Sequence, residues 1–145
     1  MRFEEITLEH LDQIVSFYIE SFNSPPWNDK WTRTTAKNRL IQMINCEGSY
    51  GLVCYYENKP VGMILGNHEY YYDCMHFNIK ELCVDNSKKG MGIGKKILNE
   101  FTIRLKDKGI KKIYLYTLKS NMTEKFYIKN GYETIEEIIM MEKTI

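Results

Sequence analysis

The sequence lacks several features that would assign it to common classes of protein. Its four cysteines form no Cys-x-x-Cys pair, and its three histidines do not stand at zinc-ligand spacing. Its 20 basic residues are balanced by 19 acidic ones, and no apolar run approaches the roughly 18 residues of a membrane span. We therefore expect reduced thiols and no metal, and neither nucleic acid nor a membrane as a partner.

The N-terminal segment also lacks the pattern of a targeting signal. Met1 to Ile14 mixes charged and apolar residues, whereas a signal peptide needs an uninterrupted apolar stretch. We therefore expect a cytoplasmic protein. The 145 residues suit one compact domain, 1–145, because 43% hydrophobic and 27% charged residues are typical of a globular chain.

The hydrophobic pattern predicts mixed strands and helices. The first part of the chain should form a strand at 2–6 and helices at 7–22 and 32–44 around a Pro- and Trp-containing loop. Strands are expected next at 50–56, 61–65 and 76–84. A helix from 93 to about 106, a strand at 110–118, a helix at 121–129 and a strand at 132–143 should follow. Residues 67–75 are expected to be an aromatic, polar connection. The strand at 110–118 should lie parallel to the one at 76–84, which predicts a mixed α/β layer architecture.

The segment from Lys88 to Gly94 is the most informative, because it is a glycine-rich loop that runs directly into a helix. A helix N-terminus presents unpaired N–H groups and a partial positive charge, so this loop suits a phosphate group. The Walker loop does not match, since Gly90 and Gly94 stand one residue too close and Lys96 replaces the required hydroxyl. The dinucleotide fingerprint fails as well, because the glycines follow a late strand at the wrong spacing.

The loop instead resembles the acetyl-CoA pyrophosphate loop of the GNAT superfamily of N-acetyltransferases. Its sequence here is Lys89-Gly90-Met91-Gly92-Ile93-Gly94, with lysine where the family usually has Arg or Gln. The stretch Glu81 to Asp85 before the loop is also similar to the family. Phe126 to Tyr132 resembles the Phe-Tyr-x-x-x-Gly-Phe signature near the end of the fold, and the predicted order of elements matches over nearly the whole chain.

This resemblance implies a GNAT-like α/β fold, with a mixed central sheet flanked by helices, and acetyl transfer from acetyl-CoA to a small-molecule or peptide amine without a metal. A non-catalytic acyl-CoA-binding or regulatory module is the alternative. The residues implied to contact acetyl-CoA are Leu82, Cys83, Val84, Lys89, Gly90, Met91, Gly92, Ile93, Gly94, Lys95 and Asn121. Ser120 is an alternative to Asn121, which stands one residue nearer the tyrosine than is usual in the family.

Three catalytic roles follow from the chemistry and the resemblance together. An amine must lose a proton, and Glu81 is the candidate general base, with a salt-bridged strand carboxylate as the alternative. Backbone N–H groups near Cys83 and Val84 would polarise the thioester carbonyl. Tyr127 aligns with the family tyrosine that protonates the departing thiolate, although such a tyrosine can also simply pack against the cofactor.

The sequence allows two interpretations for each of two segments. Trp27 and Trp31 lie in a loop that borders the acceptor site in GNAT folds, where aromatic faces attract cationic amines, but a tryptophan pair can equally pin a proline loop onto the core. The apolar run from Ile138 to Met141 suits either the core or an interface. Homodimers are common in the family that the chain resembles.

Overall fold

The computed structural model describes all 145 residues. Its elements, in chain order, are β1 (Arg2–Glu5), α1 (Leu11–Phe22), α2 (Arg33–Asn45), β2 (Ser49–Tyr56), β3 (Lys59–Tyr70), β4 (Met75–Val84), α3 (Ile93–Asp107), β5 (Lys112–Leu115) and α4 (Thr123–Lys129). The five strands form one sheet in the order β1-β2-β3-β4-β5. The first four strands are antiparallel neighbours, and β5 lies parallel to β4 after the α3 crossover. The predicted mixed α/β class is therefore confirmed.

Helices cover both faces of the sheet, and each face has its own apolar core. On the face covered by α1 and α2, residues such as Ile14, Tyr18 and Leu40 pack against Met63 and neighbouring sheet residues. On the other face, the apolar side of α3 packs against β2, β3 and β4. The α3 residues in this core are Ile93, Ile97, Leu98, Phe101 and Leu105, as the three- and four-residue spacing predicts.

All four predicted helices are present, although α1 and α2 begin later than predicted. The side chain of Thr32 accepts the backbone N–H of Thr35, which starts α2 one residue after the predicted position. A short 3-10 turn, Leu8–His10, separates Thr7 from α1. No helix is both long and apolar enough to cross a membrane.

The sequence predictions for residues 67–75 and for the strand at 110–118 are wrong. Residues 67–75 are mostly strand rather than connection, because cross-strand pairs continue through Tyr70 and Met75 at the end of the β3–β4 hairpin. The strand expected at 110–118 shrinks to Lys112–Leu115, because β4 supplies parallel partners only from His76 to Ile79.

The strand predicted at 132–143 is also wrong, since residues after α4 join no strand of the sheet. A strand persists only where a neighbouring strand receives its backbone hydrogen bonds, and no strand of the sheet pairs with this segment. Its apolar side chains therefore stay in solvent, with Ile138 65% and Met141 84% exposed. The run from Ile138 to Met141 is not part of the core.

Candidate active site

The loop between β4 and α3 leaves a row of backbone donors unpaired. Gly90 and Gly92 have φ of +82° and +72°, which glycine adopts without the steric cost other residues meet. Gly92 is the N-cap of α3 and no side chain caps the helix. The backbone N–H groups of Ile93, Gly94 and Lys95 donate to no protein acceptor. The positive end of the α3 dipole is thus open to an anion.

The space around this loop differs from glycine to glycine. A Cβ at Gly90 or Gly92 would meet no atom within 4 Å, so a ligand can approach the main chain there. A Cβ at Gly94 would lie 3.4 Å from the ring of Phe126, so this glycine lets α4 pack closely on α3. The side chains of Lys89 and Lys95 are exposed beside the loop. The residues present fit a diphosphate group.

The sheet opens beside this loop. β4 pairs with β5 only as far as Ile79 and Leu115, so the stretch from Lys80 to Val84 has β3 on one side and no strand on the other. Neighbouring residues of a strand direct their N–H groups to opposite sides. Main-chain groups of Leu82, Cys83 and Val84 therefore include donors and acceptors that face the opening.

Glu81 lies at the opening as a buried ion pair. The residue is 8% exposed, and its Oε1 accepts hydrogen bonds from Nε of Arg39 at 3.1 Å and Nη2 at 3.0 Å. Burial raises the pKa of the Glu81 carboxyl above its usual value, while Arg39 and the nearby Tyr18 oppose that rise. A buried carboxylate needs such partners, so the salt-bridged alternative is correct as a description of its contacts.

A bulge in the sheet sets the position of Glu81. The register between β3 and β4 shifts at Leu65 and Gly66, which pair with Glu81 and Ile79 and leave Lys80 as the extra residue. A Cβ on Gly66 would collide with the main-chain carbonyl of Asn78. Bulges redirect side chains and are common beside functional sites. Without the bulge, residues 79 and 81 would lie on the same face of the sheet. With it, Ile79 packs in the core beneath α3, and Glu81 faces Arg39 of α2 on the other side.

Tyr127 stands on α4 close to the same opening. Burial, followed by the neighbouring Tyr132, Glu81 and Cys83, raises the pKa of its hydroxyl above the usual range. Its ring packs at right angles to the rings of Phe126 and Tyr132, with centroids 5.1 and 5.5 Å away. The hydroxyl is consequently protonated at neutral pH, as a proton donor must be.

Cys83 is unsuited to act as a nucleophile. Its side chain is fully buried, and burial raises the pKa of the thiol well above its usual value, with Glu81 adding to that rise. Lys89 opposes the shift only weakly, and no histidine pairs with the thiol. Reactive cysteines instead have lowered pKa values and an activating neighbour.

Trp27 and Trp31 pack against α1. Trp27 meets Phe22 edge to face at 5.7 Å, and Trp31 meets Tyr18 at 5.6 Å. Trp31 also donates its indole N–H to Asp29 at 3.0 Å. Both tryptophans are partly exposed, and Tyr18 connects Trp31 to the Glu81 and Arg39 pair. The loop is thus anchored to the core, and Trp31 packs on Tyr18, which is a neighbour of Glu81.

Ser120 and Asn121 differ in their surroundings. The Ser120 hydroxyl accepts the N–H groups of Met122 and Thr123 and bonds to the Thr123 hydroxyl at 2.8 Å. Ser120 therefore stabilises the turn before α4. Asn121 is exposed and makes no hydrogen bond within the protein, which leaves its amide available to a ligand.

A polar cavity of about 230 Å³ lies beside Arg39, between α2 and the bulge. Its walls are Arg39, Gln42, Met43, Cys46, Glu47, Gly66, Asn67 and Lys80. A second cavity of about 270 Å³ lies at the far end of α3, next to Leu105 and Lys108. The first cavity shares Arg39 with the Glu81 ion pair and is also lined by Lys80, the residue before Glu81.

Far from the loop, Asp73, Cys74 and His76 bring three metal-ligand atoms within 4.8 Å of one another at the β3–β4 turn. The Lys112 ammonium lies 2.9 Å from Asp73 Oδ2, and the ring of Tyr71 stacks on His76 at 4.0 Å. With a hydrogen bond of 3.2 Å between His76 Nε2 and Asp73 Oδ1, these contacts join Asp73 and His76 in an ion-pair and stacking cluster. The expectation that the protein uses no metal stays a prediction.

Sequence reasoning missed Arg39 and Tyr18, the two side chains that surround Glu81. A carboxylate in an apolar strand signals that a cation must be near, but α2 carries several cations on its polar side. Nothing in the local pattern distinguishes Arg39 from Arg33 or Lys37. The bulge at Gly66 gave no sequence signal beyond the glycine itself.

The comparisons with known proteins agree with this geometry. Residues 47–134 match the family model described as the acetyltransferase (GNAT) domain. No curated protein matches the sequence. A possible acetyltransferase from Clostridium difficile 630 superposes with a TM-score of 0.83 at 17% identity, covering 99% of this chain and 97% of that one.

Two enzymes of known activity have the same fold. An aminoglycoside acetyltransferase from an uncultured soil metagenomic sample, solved with sisomicin, has a TM-score of 0.76 at 20% identity, with 99% of this chain and 95% of that chain covered. An aminoglycoside N-acetyltransferase solved with CoA has a TM-score of 0.77 at 13% identity, with the same coverage of both chains. From the family match over most of its length and from this shared fold, the chain belongs to the GNAT acetyltransferase family, whose chemistry is acyl transfer.

Proposed function

We propose that the protein is an N-acetyltransferase that moves the acetyl group of acetyl-CoA to a primary amine by direct transfer in a ternary complex. The observation that carries the proposal is the row of unpaired N–H groups at the start of α3, where Gly94 packs on Phe126, the neighbour of Tyr127. Lys89, Gly90, Met91, Gly92, Ile93, Gly94 and Lys95 would hold the diphosphate, and Asn121 would add a contact. When bound, acetyl-CoA supplies an activated thioester.

Glu81 accepts a proton from the amine, directly or through water. Burial raises the pKa of its carboxyl, which brings it closer to neutrality and makes it a better base than an exposed glutamate. Arg39 keeps the carboxylate ionised and holds it in place through two hydrogen bonds. This supports a base that is both charged and fixed in position.

The remaining steps use the strand and the tyrosine. As the nitrogen–carbon bond forms and the carbon–sulfur bond breaks, main-chain N–H groups of Leu82 to Val84 at the opening stabilise charge on the carbonyl oxygen. Tyr127 donates its proton to the departing thiolate. The buried, unactivated thiol of Cys83 supports direct transfer over a covalent acetyl-cysteine.

The acceptor would approach along the polar cavity beside Arg39 and the loop with Trp27 and Trp31. The two neighbours that act on aminoglycosides favour a small-molecule amine, although a peptide amine fits the same chemistry. Partly exposed tryptophan faces suit a cationic amine. Unchanged acceptor KM values in Trp27→Ala and Trp31→Ala would contradict this role for the tryptophans.

A thiol-release assay tests the proposed function. Wild-type protein is incubated with acetyl-CoA and a panel of small and peptide amines, and free CoA thiol is followed with time. We expect release that depends on both the protein and one class of amine. Binding of acetyl-CoA without release for any amine would instead favour a non-catalytic acyl-CoA-binding or regulatory module.

A further inference from the structure

The side-chain amide of Asn78 is buried and incompletely paired. Asn78 lies on β4 and is 4% exposed, and its Oδ1 is fully enclosed yet accepts no hydrogen bond. Of the six side chains with such an unpaired atom, only that of Asn78 belongs to a buried residue. Because an unpaired buried oxygen costs free energy, nearly all such atoms in proteins have a partner. This oxygen therefore indicates a donor that comes from outside the chain.

Asn78 lies on the same face of the sheet as Glu81. Its neighbours Phe77 and Ile79 pack in the core beneath α3, and successive residues of a strand alternate between faces, so the Asn78 side chain is on the opposite face. Glu81, which follows the bulge, is also on that face. Three residues of extended strand span about 10 Å, which places the two side chains within reach of one ligand.

A hydrogen-bonded pair crosses β4 beside Asn78. The Tyr114 hydroxyl of β5 donates to Oε2 of Glu69 on β3 at 2.8 Å, so the pair spans β4, the strand between them. Tyr114 is the cross-strand partner of Asn78, and Glu69 pairs with His76, two residues before Asn78. Asn78 thus lies between this pair and Glu81, which follows it on β4.

This stretch of the sheet offers hydrogen-bond acceptors and an approach for a ligand. The bond from Tyr114 uses one oxygen of Glu69 and leaves Oε1 for a further donor. Asn67, a wall of the polar cavity beside Arg39, is the cross-strand partner of Asn78, so the cavity extends to the residue next to the amide. A carboxylate and an amide oxygen together suit an ammonium group, which donates hydrogen bonds and accepts none.

We propose that the acceptor carries a second amine, roughly 10 Å from the amine that is acetylated, and that Asn78 and Glu69 bind it. Asn78 Oδ1 accepts one N–H of the second ammonium, and the Glu69 carboxylate supplies the opposite charge. The inference rests on the proposed function, because Glu81 fixes where the reacting amine lies. The acceptor class is thus an extended diamine rather than a monoamine or an amino acid.

The thiol-release assay with three matched amines tests this inference. Hexylamine, hexamethylenediamine and aminocaproate share a flexible chain of the same length and differ in the second group, which is a methyl, an ammonium or a carboxylate. Aminocaproate is the opposing probe, because the cavity also has the cations Arg39 and Lys80. We expect a wild-type kcat/KM at least about tenfold higher for the diamine than for either of the other amines.

Two substitutions test the residues that bind the second amine. Asn78→Leu keeps the volume and removes the amide, and Glu69→Gln keeps an acceptor for Tyr114 and removes the charge. Each should lower the preference for the diamine at least about threefold. Loss of an unpaired buried amide should not lower the thermal midpoint of Asn78→Leu. Tyr50→Phe is the matched control, because it removes another buried unpaired atom beneath α3 and should leave the preference unchanged.

Calorimetric titration of hexamethylenediamine separates this inference from the proposed function. If no amine releases thiol, the proposed function fails, and the inference is decided by binding: wild type should bind the diamine at least about tenfold more tightly than Asn78→Leu. Equal binding to the two proteins, or none, overturns the inference. Where transfer occurs, equal kcat/KM for the three amines, a preference for aminocaproate, or an undiminished preference for the diamine in Asn78→Leu overturns it as well.

Discussion

At the scale of single residues, the proposed site depends on how burial changes the pKa values of Glu81 and Tyr127. Glu81 is kept charged in a buried position by Arg39, while Tyr127 is kept protonated by burial and by its neighbours. The ion pair with Arg39 favours the ionised carboxylate of Glu81, whereas burial favours the neutral phenol of Tyr127. In the direct transfer that we propose, Glu81 would take a proton and Tyr127 would give one.

The Tyr127→Phe substitution tests the proton donor. The phenylalanine ring keeps the packing on Phe126 and Tyr132, so the fold and the KM for acetyl-CoA should stay close to wild type. We expect kcat to fall about a hundredfold, as loss of a general acid does. Tyr132→Phe is the matched control, because it removes a buried hydroxyl without a protein partner and should leave kcat near wild type.

The Arg39→Gln substitution tests the state of Glu81 through the pH dependence of kcat/KM. Transfer needs the carboxylate, so the rate should fall as the pH drops through a pKa that burial has raised. Loss of the guanidinium raises that pKa further and should move the acid limb to higher pH by about one unit. Arg39→Lys keeps the charge and should move the acid limb less. Identical pH profiles of kcat/KM for the wild type and both variants would exclude Glu81 as the titrating base.

At the scale of elements, the sequence identified those parts whose chemistry is local. The loop and α3 were predicted because glycines, a lysine and a 3.6-residue apolar period lie within one stretch. The ends of strands were predicted less well. β5 ends where its pairing with β4 ends, and the strand predicted at 132–143 pairs with no strand of the sheet. The bulge that positions Glu81 depends on the register of two distant strands, which no local pattern contains.

The Gly66→Ala substitution tests the bulge. The added methyl would collide with the carbonyl of Asn78, so we expect a loss of about 2–3 kcal/mol in unfolding free energy. Glu81 should also shift, and turnover per folded molecule should fall. Gly109→Ala is the control, because strain at its positive φ costs about 1–2 kcal/mol far from the site and should leave turnover intact.

At the scale of the whole molecule, the proposed function depends on the place where β5 diverges from β4. The departure of β5 from β4 creates the opening, α3 directs its N-terminus to one side of it, and α1 and α2 bring Tyr18 and Arg39 to the other. The residues proposed to contact the cofactor, except Asn121, lie within 82–95, so a local motif is enough to predict them. The acceptor side combines segments far apart in the chain, so its shape could not be read from the sequence.

Calorimetric titration of acetyl-CoA into wild type, Gly92→Asp and Gly92→Asn tests the central claim most directly. Asp and Asn have the same shape, both tolerate the left-handed backbone, and both cap helices well, so they differ mainly in charge at the proposed diphosphate site. We predict that wild type binds and that Gly92→Asp loses at least tenfold more affinity than Gly92→Asn. Absence of wild-type binding, or equal losses in the two variants, would contradict a diphosphate site at the start of α3.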